Sequence, residues 1–187
     1  MTAKTHILGG LLFGELVCVA GWSPLPSAPV LLAGAAAGAL LPDIDHRGSK
    51  ISRSSAAGKV ASFAVSAVTT HRGVVHTPVC ILAVVAALYV ASAFVSWSLW
   101  PTLIFGIAVG MFSHLALDTL NPSGIMWLWP LTKKRFHLAS IRTNSLLEWV
   151  TASALLALVL YLAASCLPEL AGEIRRLLPK SLRGIGQ

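Results

Sequence analysis

PTLIFGIAVGMFSHLALDT, residues 101–119, is an apolar run of membrane-spanning length that closes on two ionisable residues, His114 and Asp118. An α-helix needs about 20 apolar residues to cross a bilayer. On such a helix His114 and Asp118 stand four apart and share a face. The stretch therefore predicts a helical membrane fold and, at its end, ligand-type side chains at a depth where ionisable groups are costly and mark function. Taken alone, an i,i+4 pair is a weak motif. Asp118 could simply cap the turn at Asn121-Pro122-Ser123-Gly124 beside a core histidine.

The rest of the chain carries the same hydrophobic pattern outward. Runs at 7–22, 79–96 and 146–166 also read as spans, and shorter ones lie at 28–41 and 57–70. With 187 residues, 56% hydrophobic content and a mean hydropathy of +0.77, the chain reads as a polytopic membrane protein rather than a soluble domain. The expected architecture is all-α: a membrane helical bundle of about five spans plus one short amphipathic or re-entrant helix. Residues 1–167 form the transmembrane domain, and 168–187 form a polar, basic tail. Cys18, Cys80 and Cys166 all fall within apolar runs and suggest neither a disulfide framework nor a C-x-x-C site. Residues 1–20 resemble a signal peptide only superficially. Glu15 interrupts the apolar run, so the segment reads as a retained first helix.

The chain holds only seven Asp and Glu, and Asp43, Asp45 and Asp118 sit among histidines at the ends of apolar runs. The clusters are Thr5-His6, Pro42-Asp43-Ile44-Asp45-His46, His71-Arg72-Gly73-Val74-Val75-His76-Thr77 and His114-x-x-x-Asp118. Imidazole and carboxylate are the ligand set of zinc, manganese and iron. Carboxylates at the end of a helix oppose its macrodipole, which makes Asp43 and Asp45 poor choices without a cation nearby. The expected metal ligands are His6, Asp43, His71, His76, His114 and Asp118, with His46 in reserve. Asp45 is the candidate base. Arg47, Arg72 and Arg135 are candidates to hold an anionic group. Glu148, opening the last span, is a candidate support for the ligands.

Whether these clusters meet depends on residues 57–70. Lys59, Ser62, Ser66 and Thr69 recur at helical spacing on one face, opposite Val60, Phe63, Ala64, Ala67 and Val68. That is the pattern of a helix lying along a membrane rather than crossing it. If it does not cross, every cluster emerges on one side. That side also carries most Lys and Arg, including Lys4, Arg47, Arg72, Lys133, Lys134 and Arg135, which makes it cytoplasmic. The basic C-terminal tail falls on the opposite side, against the trend. The net charge of +7 thus reads as topology and contact with anionic headgroups, not as nucleic-acid binding. The sequence does not specify an oligomeric state.

At these clusters the chain resembles the YdjM-like family, described as LexA-regulated inner-membrane metal-dependent hydrolases. T-H-x-x-x-G, P-D-x-D-H, H-R-G-x-x-H-[ST] and H-x-x-x-D-x-x-N-P-x-G occur in that order over about residues 2–145. The resemblance implies a multipass bacterial inner-membrane protein with metal-dependent hydrolase activity. A fainter likeness, carried by scattered His and Asp and the H-x-x-x-D pair, is to the all-helical zinc-dependent phospholipase C and nuclease group.

The expectation that follows is a hydrolase for a lipid phosphoester at the cytoplasmic membrane face. It would use one or two divalent ions, zinc favoured and manganese the alternative, with membrane lipids as partners and substrate source. The rival is a protein that binds or transports metal without hydrolysis. A third reading is a scaffold with a structural metal. A transport path would spread ligands through the membrane, whereas these gather at one side.

Overall fold

The computed structural model describes residues 1–23, 27–45 and 73–177. Residues 57–70, whose topology was expected to bring the clusters together, lie outside the described residues. So do His46, Arg47, His71 and Arg72.

Five α-helices account for most of what is described: α1 (Ala3–Val19), α2 (Ala28–Gly38), α3 (Pro78–Ala91), α4 (Trp100–Asp118) and α5 (Leu146–Leu177). Short 3-10 turns stand at Pro42–Asp45, Val74–His76 and Ser92–Phe94. Among the described residues there is no strand, only one antiparallel bridge between Ile125 and Phe136. The all-α class holds.

Proline marks three helix starts, in the first turns of α2, α3 and α4, where its missing N–H costs nothing. Thr77 caps α3, its hydroxyl accepting from the Cys80 N–H at 3.4 Å. Gly21, at φ 73°, ends α1 in a Schellman arrangement. Its N–H donates to the Cys18 carbonyl at 3.0 Å, and the Trp22 N–H donates to Val17 at 3.1 Å.

The expected count of about five spans is corrected. Among the described residues, two helices are long and apolar enough to cross a membrane, Trp100–Asp118 and the Leu146–Ser165 part of α5. The apolar run 28–41 yields a helix of only 11 residues. At about 1.5 Å per residue it extends roughly 17 Å, well short of a bilayer core of about 30 Å. The run 79–96 gives a 14-residue α-helix that tightens into a 3-10 turn at Ser92–Phe94. The 146–166 run extends further than expected, continuing as helix through the anticipated tail boundary to Leu177.

A seam of glycine joins α2 to α4. A Cβ on Gly110 would lie 2.0 Å from the Ala35 carbonyl oxygen, one on Gly38 2.2 Å from that of Ile107, and one on Gly106 2.3 Å from that of Leu31. Gly34–Gly38 and Gly106–Gly110 form facing small-xxx-small pairs, which let backbones approach where side chains would hold them apart. α1 joins the same seam, with Gly10 against Ala35. Leu31, Ala35, Met111 and Leu115 are fully or almost fully buried along it.

Burial is inverted relative to a soluble protein. His6, His76, His114, Asp118 and Asn121 are at most 1% exposed, while Leu82, Tyr89, Val90, Leu160 and Tyr161 are at least 60% exposed. Ionisable groups face the bundle interior and apolar ones face outward, as a bilayer solvent requires.

Candidate metal centre

Four helix ends meet at one end of the bundle. α1 brings His6 in its first turns, and α4 ends with His114 and Asp118. The turn after α2 supplies Asp43, and the turn leading into α3 supplies His76. The i,i+4 spacing puts His114 and Asp118 on one face, with His114 Nε2 3.8 Å from Asp118 Oδ2.

His114 stands at the centre. Its Nε2 is 3.3 Å from His76 Nε2 and 3.8 Å from Asp43 Oδ1. Its ring stacks on that of His6 at 3.7 Å between centroids, 13° from parallel. Nδ1 lies 2.7 Å from the Ala39 carbonyl oxygen. A carbonyl can only accept, so Nδ1 carries the proton. The neutral ring then turns the lone pair of Nε2 toward Asp43, His76 and Asp118, the arrangement typical of a ligating histidine. The glycine seam permits this contact, because Gly110 packs directly under Ala35 and Ala39.

Asp118 divides its two oxygens. Oδ2 faces His76 at 3.9 Å as well as His114. Oδ1 faces His6 Nε2 at 3.5 Å and the Met1 ammonium at 3.1 Å, and accepts from Asn121 Nδ2. Asp43 Oδ1 reaches His76 at 3.8 Å. Burial raises the Asp43 carboxyl, but His76, His114 and the N-terminal ammonium outweigh it and hold the group below the usual carboxylate range.

Two overlapping triads result, His6–His114–Asp118 and Asp43–His76–His114, each with its ligand atoms within 4.8 Å of one another. Three buried imidazoles, the buried Asp118 carboxylate and the partly exposed Asp43 carboxylate form a donor set suited to zinc or manganese. Buried carboxylates beside imidazole nitrogens need a cation or protons between them, and a divalent ion meets that need.

Five expected ligands are therefore brought together: His6, Asp43, His76, His114 and Asp118. The sixth, His71, lies outside the described residues with His46, Arg47 and Arg72. The backbone of Asp45 is two residues beyond Asp43 in the same turn, and its side chain is not among those described. Arg135 is exposed on the loop between α4 and α5.

Two supporting groups went unnoticed as such in the sequence. Asn121 is 1% exposed, and it steadies Asp118 from three residues downstream. Its signal is the D-x-x-N spacing into the Asn121-Pro122-Ser123-Gly124 turn, where Gly124 takes φ 61°. The Ala39 carbonyl is a backbone atom and has no side-chain signature. Glu148 acts one step away from the cluster, on residues near His6. One carboxylate oxygen accepts from Thr2 N and from Thr5 Oγ1 at 3.0 Å, and the other accepts from Asn144 N at 2.6 Å. It thus ties the start of α5 to the turn of α1 that carries His6.

The loop after α4 folds back over this end. The Leu138 N–H donates to Thr119 at 2.8 Å, and the Ile141 N–H donates to Leu120 at 2.9 Å. Trp127 Nε1 donates to Thr119 Oγ1 at 2.9 Å. Ile125 and Met126 are buried beneath it.

Comparison with known proteins places the chain in a family. The Uncharacterized protein YvsG of Bacillus subtilis (strain 168) is 33% identical over 156 residues, covering 83% of this chain and 89% of that protein. The Inner membrane protein YdjM of Escherichia coli (strain K12) is 30% identical over 146 residues, 74% of this chain and 69% of that one, and its Shigella flexneri counterpart matches equally. No solved structure matches. The family model described as YdjM inner membrane protein matches residues 1–171, and the chain belongs to that family of membrane proteins.

Proposed function

We propose that this protein is a metal-dependent hydrolase of the bacterial inner membrane, multi-pass, acting on a lipid phosphoester at the cytoplasmic face. The observation that carries the reading is the convergence of His6, Asp43, His76, His114 and Asp118 from four helix ends, with the His114 Nδ1–H committed to Ala39. These residues would hold one or two divalent ions, zinc favoured over manganese. His71 and His46 complete the candidate set. A bound ion supplies Lewis acidity and lowers the pKa of a water toward 7.

The chain's own groups do the rest. Asp45, next to a ligand in the same turn, takes the proton from the attacking water. Arg72, with Arg47 or Arg135, holds the phosphate. Asp43, kept ionised by its imidazole neighbours, and Asp118, steadied by Asn121, hold the negative charge that the ion requires. Lys4, Lys133, Lys134 and Arg135 lie at or beside the site end of the chain, which supports a cytoplasmic placement. The gathering of ligands at one end, rather than along α4, favours a reactive site over a transport path.

The test is metal analysis of detergent-purified protein, followed by turnover assays on phospholipids and isoprenoid phosphates. One to two equivalents of zinc or manganese are expected, together with hydrolysis of at least one phosphoester. Metal-replete protein that is inert across phosphoesters, carboxylesters and amides would replace this reading with metal binding or transport.

A further inference from the structure

A cavity of about 380 Å³ lies between the first turns of α1 and α5, beside the cluster rather than within it. Its size falls in the range of about 300–1,000 Å³ typical of small-molecule sites. One wall is the α1 face bearing Lys4 and Leu8, four residues apart. The other is the α5 face bearing Trp149, Ala152 and Leu156, at helical spacing. The two helices both start at the site end, so the cavity is graded along its length. Thr2, Lys4 and Asn144 are at the polar end, and Leu8 and Leu156 line the apolar end. Leu156 stands about 12 Å below Glu148 at 1.5 Å per residue. Trp149 and Leu156 are exposed, so the cavity opens sideways, where a membrane's acyl region would meet α5.

The charge at the polar end decides what fits. Glu148 would repel an anion if its oxygens were open to the cavity. They are engaged instead by Thr2 N, Thr5 Oγ1 and Asn144 N. Lys4 is exposed at the mouth, and it leaves the polar end cationic. Thr5, whose hydroxyl reaches Glu148, is adjacent in sequence to the candidate ligand His6.

We infer that this groove binds a single-headed anionic lipid, with its phosphate at Lys4 and one acyl chain along Leu8, Ala152 and Leu156. The inference deepens the hydrolase reading by giving its substrate a lateral entry beside His6. It rests on that reading for the role of the bound lipid but not for the binding itself.

The probe is phosphatidic acid carrying a photoreactive group in its acyl chain, applied to the wild-type protein in detergent, with labelled peptides mapped by mass spectrometry. Saturable labelling at Leu8 and around Leu156 is expected, competed by unlabelled phosphatidic acid and not by inorganic phosphate. Lys4→Gln should weaken it about fivefold, the worth of one partly exposed charge contact. Ala152→Phe, which fills the cavity, should abolish it. Lys4 is on the surface, so its variant answers the question even if Ala152→Phe fails to fold. Labelling spread over the outer faces of α3 and α5, equal labelling by phosphatidylcholine, or competition by inorganic phosphate would each overturn the inference. Labelling that persists in His114→Ala while metal is lost would separate this groove from the metal centre. The groove would then stand even if the hydrolase reading fell.

Discussion

Gly110→Ala probes the link between fold and site with a single methyl group. The added Cβ would sit 2.0 Å from the Ala35 carbonyl oxygen and 2.7 Å from the Ala39 nitrogen. Its nearest neighbours are all backbone atoms of α2 and the residue that follows it, so no side chain can swing aside. Ordinary contact begins near 3.4 Å, so α2 must retreat by about 1.4 Å. Overpacking of this kind costs about 1–3 kcal/mol. The same retreat would carry the Ala39 carbonyl away from His114 Nδ1. From 2.7 Å, a shift of about 1 Å takes the pair beyond hydrogen-bonding range. Losing an outer partner of a ligating histidine typically lowers metal affinity about 10–100-fold. The variant should therefore show both a lower melting temperature in detergent and weaker metal binding in a competitive chelator titration. Gly9→Ala is the control, because its Cβ meets a movable atom, Leu117 Cδ1, at 2.4 Å. It should cost less stability and leave metal affinity close to wild type. If Gly110→Ala keeps wild-type metal affinity while losing stability, the seam does not set the orientation of His114, and fold and site are not coupled through it.

Other outcomes follow from the same geometry. His114→Ala and Asp118→Ala should each lower metal occupancy of the purified protein, and full retention in both would remove the proposed centre. Asp45→Asn should keep most of the metal while slowing turnover by about 10²–10⁴-fold, the usual cost of a lost base; joint loss of metal and activity would make Asp45 a ligand. Glu148→Ala strands the donors Thr2 N, Thr5 Oγ1 and Asn144 N and should destabilise the fold by about 1–3 kcal/mol, visible as a lowered melting temperature, with an unchanged melting point contradicting its role as a tie. In an otherwise Cys-free protein, cysteines at Gly48, Val74 and Ser123 should resist an impermeant maleimide from outside the cell while one at Ser98 labels; opposite behaviour at Gly48 and Val74 would mean that residues 57–70 cross the membrane.

The candidate ligands were legible because ionisable residues are scarce here and their positions are constrained. Asp118 lies one helical turn beyond His114, so the pair declared its shared face without a structure. Asp43 and His76 could be placed because each sits where an apolar run ends. The span count was not legible in the same way. Hydropathy registers composition, and 28–41 is apolar throughout, but its helix stops at Gly38. Nor could the sequence say which glycines face which helix. Gly106 and Gly110 lie within an apolar run that reads the same whether they meet lipid or Ala35. The groups that hold the candidate ligands escaped for a related reason. Ala39 acts through its backbone, and Asn121 looked like a turn residue because it is one as well.

The bond from His114 Nδ1 to Ala39 also limits the stoichiometry. An imidazole bridges two ions only as the imidazolate, using both nitrogens, and one nitrogen here is already engaged. His114 therefore has a single lone pair to give, at Nε2. The two triads that share it are mutually exclusive through that residue: an ion that takes His114 in one denies it to the other. A second ion, if one binds, would have to be built around the split carboxylate of Asp118 and the remaining imidazoles. A two-ion centre would then fill in two unequal steps rather than as an interchangeable pair.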